Sequence, residues 1–241
     1  MANEGLKRTP TSSGNGKVWT WTGWVKRNKL GVLQFIINRT YLSGKNFQLD
    51  FTSSDTIEVS DYSGGYVIRL ITSQKFRDIS SWYHILVSIN TTSSTTSDRA
   101  KMYVNGVRIT DFSTETYPTI NAQTQWNNNQ QHEFGDVSST YDPAVELTDI
   151  FFIDGQALTP DVFGFYKDGD GYMSSGTTQA TDFRPGQWSP HSPSKIKKDI
   201  NRRGGFGANG YYLPMNDSSN PGADFHCDPN SIIKLKGEDL P

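Results

Sequence analysis

A polar loop with one aromatic ring is the first place where side chains of this sequence could bind a ligand. Trp126 lies among amide side chains, next to Asn127 and Asn128, and Tyr141 lies near the following loop. An aromatic face with neighbouring amides suits a sugar ring, which presents apolar C–H faces and many hydroxyl groups. These four residues are the candidate ligand-binding residues. In the alternative interpretation, which we favour, Trp126 packs beneath its own loop.

Two acidic residues are a weaker candidate for calcium binding. Asp168 and Asp170 alternate with glycines, as at the start of a helix–loop–helix calcium loop. Such a loop needs a polar ligand at position 172 and a glutamate at position 179, where Tyr172 and Gln179 stand. The pattern therefore favours an acidic, glycine-rich turn, and we expect no cofactor.

The carboxylates do not have the spacing that glycoside hydrolysis requires along one strand. That reaction uses two carboxylates roughly 5 to 9 Å apart. Glu146 and Asp149 are separated by three positions, as are Asp55 and Glu58. Residues three apart on a strand point to opposite faces. We therefore expect that the protein is not an enzyme.

The histidines and the cysteine do not indicate a nucleophilic site. His84 lies in a predicted strand near Trp82, and we interpret it as a packing residue of the sheet. Cys227 is the only cysteine and directly follows His226. Adjacent side chains on an extended chain point apart, so we expect an unreactive thiol.

Charge and composition argue against nucleic-acid and membrane partners. The chain has 23 basic and 25 acidic side chains, and the one basic cluster, at 195–203, is interpreted as a solvated loop or a contact with an acidic partner. No apolar run approaches the roughly 18 residues of a membrane span. Residues 1–10 are polar and lack the apolar region of an export signal.

Short alternating runs predict β-strands. Phe47, Leu49 and Phe51 alternate with polar residues, and residues 83–89 follow the same period of two. Asn105 and Gly106 separate two such runs and predict a type I′ hairpin turn. Only one short helical turn, at 159–165, is expected. Further strands are predicted at 32–37, 57–59, 66–71, 101–104, 107–109, 131–135, 146–153 and 211–213. The predicted core contains Trp21, Phe47, Leu49, Ile85, Val87, Val104, Leu147 and Phe151.

A change in composition near residue 166 predicts two parts. Residues 1–165 carry most strands and are predicted to form an all-β, antiparallel two-sheet sandwich. Residues 166–241 form an irregular Gly/Pro-rich extension with a returning strand near 210–214. Its rings must cover either the sandwich or a neighbouring subunit, because large exposed apolar patches are rare on soluble monomers. These rings are Phe183, Trp188, Phe206, Tyr211, Tyr212 and Phe225.

Four segments, in order, resemble laminin G-like and concanavalin A-like domains. They are residues 19–26, 82–87, 101–107 and 146–160. The resemblance covers roughly residues 6–165 and implies a jelly-roll sandwich. Many members of this family hold calcium at the sandwich edge. The residues of this chain that could form such a site are Asp136, Asp142 and Asp149.

Other segments resemble a subgroup of these domains found in tailed bacteriophages, especially marine ones. They are residues 6–10, 152–160, 185–188 and 206–213. The resemblance implies a structural or adhesive virion protein, in a tail fibre or other appendage. Such a protein is assembled in the host cytoplasm, contacts other virion proteins and forms a homo-oligomer, for which a trimer is the first expectation. Its ligand could be a host-surface glycan. The alternatives are a capsid-surface decoration protein, a stand-alone carbohydrate-binding module and a glycan depolymerase.

Overall fold

The computed structural model describes residues 6–42, 44–135, 145–167, 173–174, 186–217, 219–220, 222–225 and 234–235. Most regular structure within them is β. One α-helix, α1 (Pro193–Arg202), and two 3-10 helices, Thr96–Asp98 and Pro160–Val162, are also present. The strands, in chain order, are β1 (Leu6–Arg8), β2 (Val18–Arg27), β3 (Gln34–Leu42), β4 (Lys45–Phe51), β5 (Ile57–Ser63), β6 (Tyr66–Thr72), β7 (Tyr83–Asn90), β8 (Ala100–Val104), β9 (Val107–Arg108), β10 (Phe112–Thr116), β11 (His132–Phe134), β12 (Val145–Asp154), β13 (Gly164–Lys167), β14 (Met173–Ser174), β15 (Gln187–Pro190), β16 (Tyr211–Leu213) and β17 (Lys234–Leu235).

Two antiparallel sheets form the sandwich. The large sheet has the strand order β10-β6-β5-β4-β3-β11-β1-β17, and the small sheet has the order β16-β12-β2-β7-β8-β9. A separate three-stranded sheet has the order β14-β13-β15. The large and small sheets enclose the main hydrophobic core. The predicted all-β, two-sheet fold is thus confirmed.

Alternation along each strand divides core residues from polar ones. On β4, Phe47, Leu49 and Phe51 are fully buried in the main core. Their neighbours Gln48 and Asp50 therefore lie on the opposite side of the large sheet, because successive side chains of a strand point to opposite faces. We call this side, directed away from the main core, the outer face of the large sheet.

A β-bulge in β12 corrects two members of the predicted core. The register between β12 and β2 shifts between Thr148 and Phe151, and Asp149 has a positive φ of 48°. The extra residue inverts the alternation, so Ile150 rather than Phe151 enters the main core. Phe151 packs in a second cluster on the other side of the small sheet, and Leu147 is only partly buried. The remaining predicted core residues are buried as expected.

The predicted hairpin turn is confirmed. Asn105 and Gly106 join β8 to β9 and have φ values of 48° and 80°. Both central residues of a type I′ turn need positive φ, which Asn and Gly tolerate best. Gly106 is also constrained by packing, because an added Cβ would overlap the ring of Trp188.

Helix α1 contradicts two predictions, namely that no helix of ordinary length occurs and that the basic cluster is a loop. Ser192 caps the helix by accepting a hydrogen bond from the backbone N of Lys195, and Pro193 occupies its first turn. Ile196 and Ile200, four positions apart, face inward. They pack with Phe151, Phe163, Tyr212 and Leu86 in the second cluster, which covers the small sheet.

Part of the extension completes the sandwich. Strand β16 pairs with β12, with Leu213 opposite Ile150. The rings of Trp188, Phe206, Tyr211 and Tyr212 are buried against this chain, whereas Phe225 is 51% exposed. Phe183 lies outside the described residues. None of the described helices is long and apolar enough to cross a membrane.

Candidate functional site

The structure rules out Trp126 as an exposed platform for a sugar. Its side chain is 0% exposed. The ring stacks on His132, with centroids 4.0 Å apart and planes inclined by 18°, and lies 5.3 Å from the ring of Phe47. Both faces are thus covered by neighbouring residues of the chain. Trp126 packs beneath its own loop, as the favoured interpretation states.

Asn127 is likewise engaged in a buried network. Its Nδ2 donates to Oδ1 of Asp154 at 2.7 Å and to the carbonyl of Asn15 at 3.1 Å. Its Oδ1 accepts a hydrogen bond from Nδ2 of Asn209 at 3.0 Å. These bonds tie the loop to the N-terminal segment and to the extension. The amide therefore has a structural role in the ligand-free protein.

The described residues among the remaining candidates, Asn128 and Asp149, do not form a ligand site or a metal site with other candidates. Asn128 is partly buried, and its Oδ1 makes no hydrogen bond within the described residues. Asp149 accepts a hydrogen bond from the hydroxyl of Tyr212 at 2.7 Å. Among the residues that the structure describes, no three His, Cys, Asp or Glu side chains are grouped as metal ligands. The candidates that lie outside the described residues are Tyr141, Asp168, Asp170, Asp136, Asp142, His226 and Cys227.

The outer face of the large sheet carries a row of polar side chains across seven strands. Each member is the direct cross-strand partner of the next, so all share one face. From β1 to β10 the row is Lys7, Glu133, Asn38, Gln48, Ser60, Arg69 and Thr116. The small sheet differs, since its outer side is covered by α1 and the second cluster.

A pair of carboxylates lies next to this row. Asp50 on β4 is directly opposite Glu58 on β5. Their sequence neighbours Leu49 and Ile57 are buried in the main core, so both carboxylates belong to the outer face. Residues directly opposed in antiparallel strands have Cβ atoms about 4.5–5.5 Å apart. The two carboxyl groups are therefore held side by side.

The two carboxylates have different environments. Glu58 is bonded to Nε of Arg69 at 3.0 Å, and the Arg69 side chain is 35% exposed. Asp50 is fully buried, and neither carboxylate oxygen makes a hydrogen bond of normal geometry. Burial, followed by the charge of Glu58, raises the pKa of Asp50 well above its usual value, although Gln48 and Arg69 oppose the shift. In this pair, Asp50 takes up a proton more readily than an ordinary aspartate, and Glu58 is ion-paired with Arg69.

Two tyrosines lie next to Arg69, the ion-pair partner of Glu58. Tyr62 and Tyr66 are cross-strand partners, and their rings meet edge to face with centroids 5.3 Å apart. The guanidinium of Arg69 lies 4.5 Å from the centroid of the Tyr66 ring. Tyr66 is 46% exposed, so this ring is accessible from solvent. Aromatic surface, amide, hydroxyl and carboxyl groups therefore meet on the outer face.

Sequence reasoning missed this group. It compared Asp55 with Glu58 along the chain, but Asp55 accepts from Arg77 at 3.0 Å and contacts Arg27 at 3.1 Å. The partner of Glu58 is Asp50, on the preceding strand. The turn residues between the two alternating runs, 52–56, were the signal that could have placed them opposite each other.

His84 is a packing residue, as predicted. It is 3% exposed, its Nε2 lies 2.9 Å from Oγ1 of Thr22, and its ring contacts those of Trp24 and Trp188. Burial lowers the pKa of His84 to about 3. The imidazole is therefore neutral in the folded protein at ordinary pH.

These features define a lectin-like β-sandwich with a polar outer sheet face. The chain belongs to the concanavalin A-like lectin/glucanases superfamily, whose Laminin_G_3 family model matches residues 3–145. This membership confirms the family resemblance, and the matched residues include the first three of the four ordered segments. No curated protein matches the chain by sequence.

Several solved structures are similar to this fold. The SAP-like pentraxin of Limulus polyphemus is 13% identical, with a TM-score of 0.44 over 65% of this chain and 71% of that one. Domains LG4-5 of the mouse laminin alpha1 chain are 15% identical, with a TM-score of 0.46 over 69% of this chain and 47% of that one. Trypanosoma rangeli sialidase is 12% identical, with a TM-score of 0.42 over 60% of this chain and 21% of that one. The chain thus spans less than half of the laminin and sialidase chains.

Proposed function

We propose that the protein is a non-enzymatic structural or adhesive component of a tailed-phage virion. It acts in a tail fibre or other surface appendage by binding a host-surface glycan or another virion protein. It needs no cofactor, and it is assembled in the host cytoplasm. The lectin-like fold and the accessible chemistry of the outer face support a binding role.

One observation carries the proposal: three of the four segments that resemble phage proteins, 6–10, 152–160 and 206–213, contact each other. The backbone N of Asp154 donates to the carbonyl of Phe206 at 2.8 Å, which joins segment 152–160 to segment 206–213. Arg8, from segment 6–10, donates to the carbonyl of Asn209 and lies 5.0 Å from the centroid of the Tyr211 ring. These three segments therefore form one contiguous part of the structure. This supports shared ancestry with the phage proteins more strongly than scattered matches would.

The location and the oligomeric state can be tested together. Gold-labelled antibodies against the protein are expected to decorate an appendage of purified particles in electron micrographs. The purified protein is expected to have the mass of a homo-oligomer, a trimer first, because virion appendages are symmetric. Label on the capsid would favour a decoration protein, and particles without label would refute the virion role.

A glycan depolymerase is the second candidate, and the Asp50–Glu58 pair is the observation that favours it. Two carboxyl groups on directly opposed strand positions, of which Asp50 has a raised pKa, suit retaining hydrolysis. We favour binding because Arg69 neutralises Glu58 and weakens it as a nucleophile. We expect no reducing ends after incubation with host-envelope glycan. Hydrolysis by the wild type that is lost in Glu58→Gln but kept in Glu146→Gln, an exposed control, would overturn the non-enzymatic proposal.

A further inference from the structure

Helix α1 presents positive charge to solvent. Its two buried isoleucines pack into the second cluster, so the opposite side of the helix faces outward. Asp199, the only acid of the helix, pairs with Lys195 at 2.7 Å. Lys198 and Arg203 form no ion pair with any residue that the structure describes. The exposed cations on the helix and directly after it are Lys195, Lys198, Arg202 and Arg203. Most of this charge is therefore not neutralised within the helix.

An exposed aromatic ring lies beside these cations. The carbonyl of Phe225 accepts a hydrogen bond from Nζ of Lys197 at 3.3 Å, and the backbone N of Phe225 donates to the carbonyl of Tyr212 at 2.9 Å. The Phe225 side chain is 51% exposed, and within the described part of the extension no other aromatic side chain is exposed. Aromatic and arginine side chains are enriched in protein interfaces. We call the outward side of α1, together with Arg203 and the ring of Phe225, the basic face.

The charge of the remaining chain favours contact between copies of the protein. Five cations and one acid give residues 193–203 a formal charge of +4. The whole chain carries −2, so the residues outside this segment carry −6. Another copy of the protein therefore offers an excess of acidic side chains to the basic face, and opposite charges guide two such surfaces into contact.

The same charge restricts how two copies can meet. A two-fold contact centred on the basic face would press like charges together, which is unfavourable. The basic face must instead lie on a different, acidic surface of the neighbouring copy. A heterologous contact meets this condition, and its repeats can close into a ring, of which a trimer is the smallest.

We infer that the basic face docks on an acidic surface of a neighbouring copy and joins the subunits of the proposed homo-oligomer. This inference rests on the proposed function and locates its subunit contact. The basic face belongs to the extension, beyond residues 3–145 that the family model matches, so it is an addition to the sandwich of the family. Because the other side of α1 is already packed, docking does not require the helix to become ordered.

Sedimentation equilibrium of the full-length protein measures its mass in solution and the dissociation constant of its subunits. We expect an oligomer at about 0.1 M NaCl that dissociates more readily at about 0.5 M, because salt screens exposed charges. Lys198→Glu combined with Arg203→Glu replaces two cations of the basic face by acids and is expected to raise the dissociation constant at least about 10-fold. Phe225→Ala removes the exposed ring and is expected to raise the dissociation constant several-fold.

The matched control is Lys29→Glu combined with Lys75→Glu, which makes the same change in net charge at two exposed loop lysines outside the extension. Its dissociation constant is expected to stay within a few-fold of the wild type. All of these side chains are exposed, so circular dichroism should show the wild-type fold in every variant.

The inference fails if the basic-face variants keep the wild-type dissociation constant, or if the loop control dissociates as readily as they do. An oligomer that persists in the basic-face variants refutes this contact but leaves the proposed homo-oligomer in place. A wild type that is monomeric at high concentration refutes both. Gold labelling of particles tests the virion role separately from these measurements.

Discussion

Replacing Trp126 by Ala is expected to lower the free energy of unfolding by about 3–5 kcal/mol. The ring is fully buried and fills space between His132, Phe47 and Phe152, so truncation leaves a large cavity. Its Nε1 has no hydrogen-bond partner, so the loss arises from packing alone. Urea unfolding followed by circular dichroism measures the change.

Two controls make this result specific. Trp126→Phe keeps part of the ring packing and is expected to lose less stability than Trp126→Ala. Ile120→Ala changes a side chain that is 53% exposed and is expected to stay within about 0.5 kcal/mol of the wild type. If Trp126→Ala unfolds like the wild type and instead loses saccharide binding, the ring acts as a ligand platform and its buried position is wrong.

The sandwich itself could be predicted from the sequence because most of its strands alternate regularly. Phe47, Leu49 and Phe51 show how a period of two marks the side that packs in the core. Asn105 and Gly106 show how a turn with two positive φ values fixes a hairpin. Both signals are local, so neither requires knowledge of the neighbouring strands.

The sequence predictions were wrong for the core side of β12 and for helix α1, where the local pattern of apolar residues does not reveal the structure. At Asp149 the bulge inserts an extra residue, so the alternation of β12 inverts within the strand. Helix α1 has only Ile196 and Ile200 as buried residues among ten, and its other side chains are mostly charged or polar. Its stability comes from the second cluster, which exists only after the extension has packed on the small sheet.

The candidate site depends on register, which single-strand patterns do not contain. Asp50 and Glu58 are eight positions apart and meet only because β4 and β5 pair in one alignment. A slip of one residue would move Glu58 into the core and Val59 onto the outer face. The polar row across seven strands has the same origin. The family resemblance implies a binding role, but only the strand pairing shows which polar side chains lie together.

Acidification is expected to destabilise the protein through His84. The hydroxyl of Thr22 donates to the carbonyl of Ile85 at 2.9 Å, so in its contact with Nε2 of His84 it accepts, and Nε2 carries the hydrogen. The buried Nδ1 has no partner for a second proton. The pKa of His84 is therefore lowered to about 3 by burial, from 6.5 in an unfolded chain.

The direction of this pH effect depends on which state of the protein, folded or unfolded, binds the proton. As pH falls below 6.5, the unfolded chain takes up a proton that the folded protein refuses, so stability present at pH 8 is lost progressively toward pH 3. Between pH 8 and pH 5 the loss of stability from His84 is about 2 kcal/mol.

Asp50 acts in the opposite direction, since its raised pKa favours the folded state in acid. His191 and Asp149 line the same small pocket as His84, and burial lowers the pKa of His191, which acts in the same direction as His84. Comparison with His84→Gln, which keeps a donor toward Thr22 but does not titrate, isolates the effect. The difference in free energy of unfolding between wild type and variant should shift by about 2 kcal/mol in favour of the variant between pH 8 and pH 5. If the free energies of unfolding of the wild type and the variant change equally with pH, His84 is not buried as described.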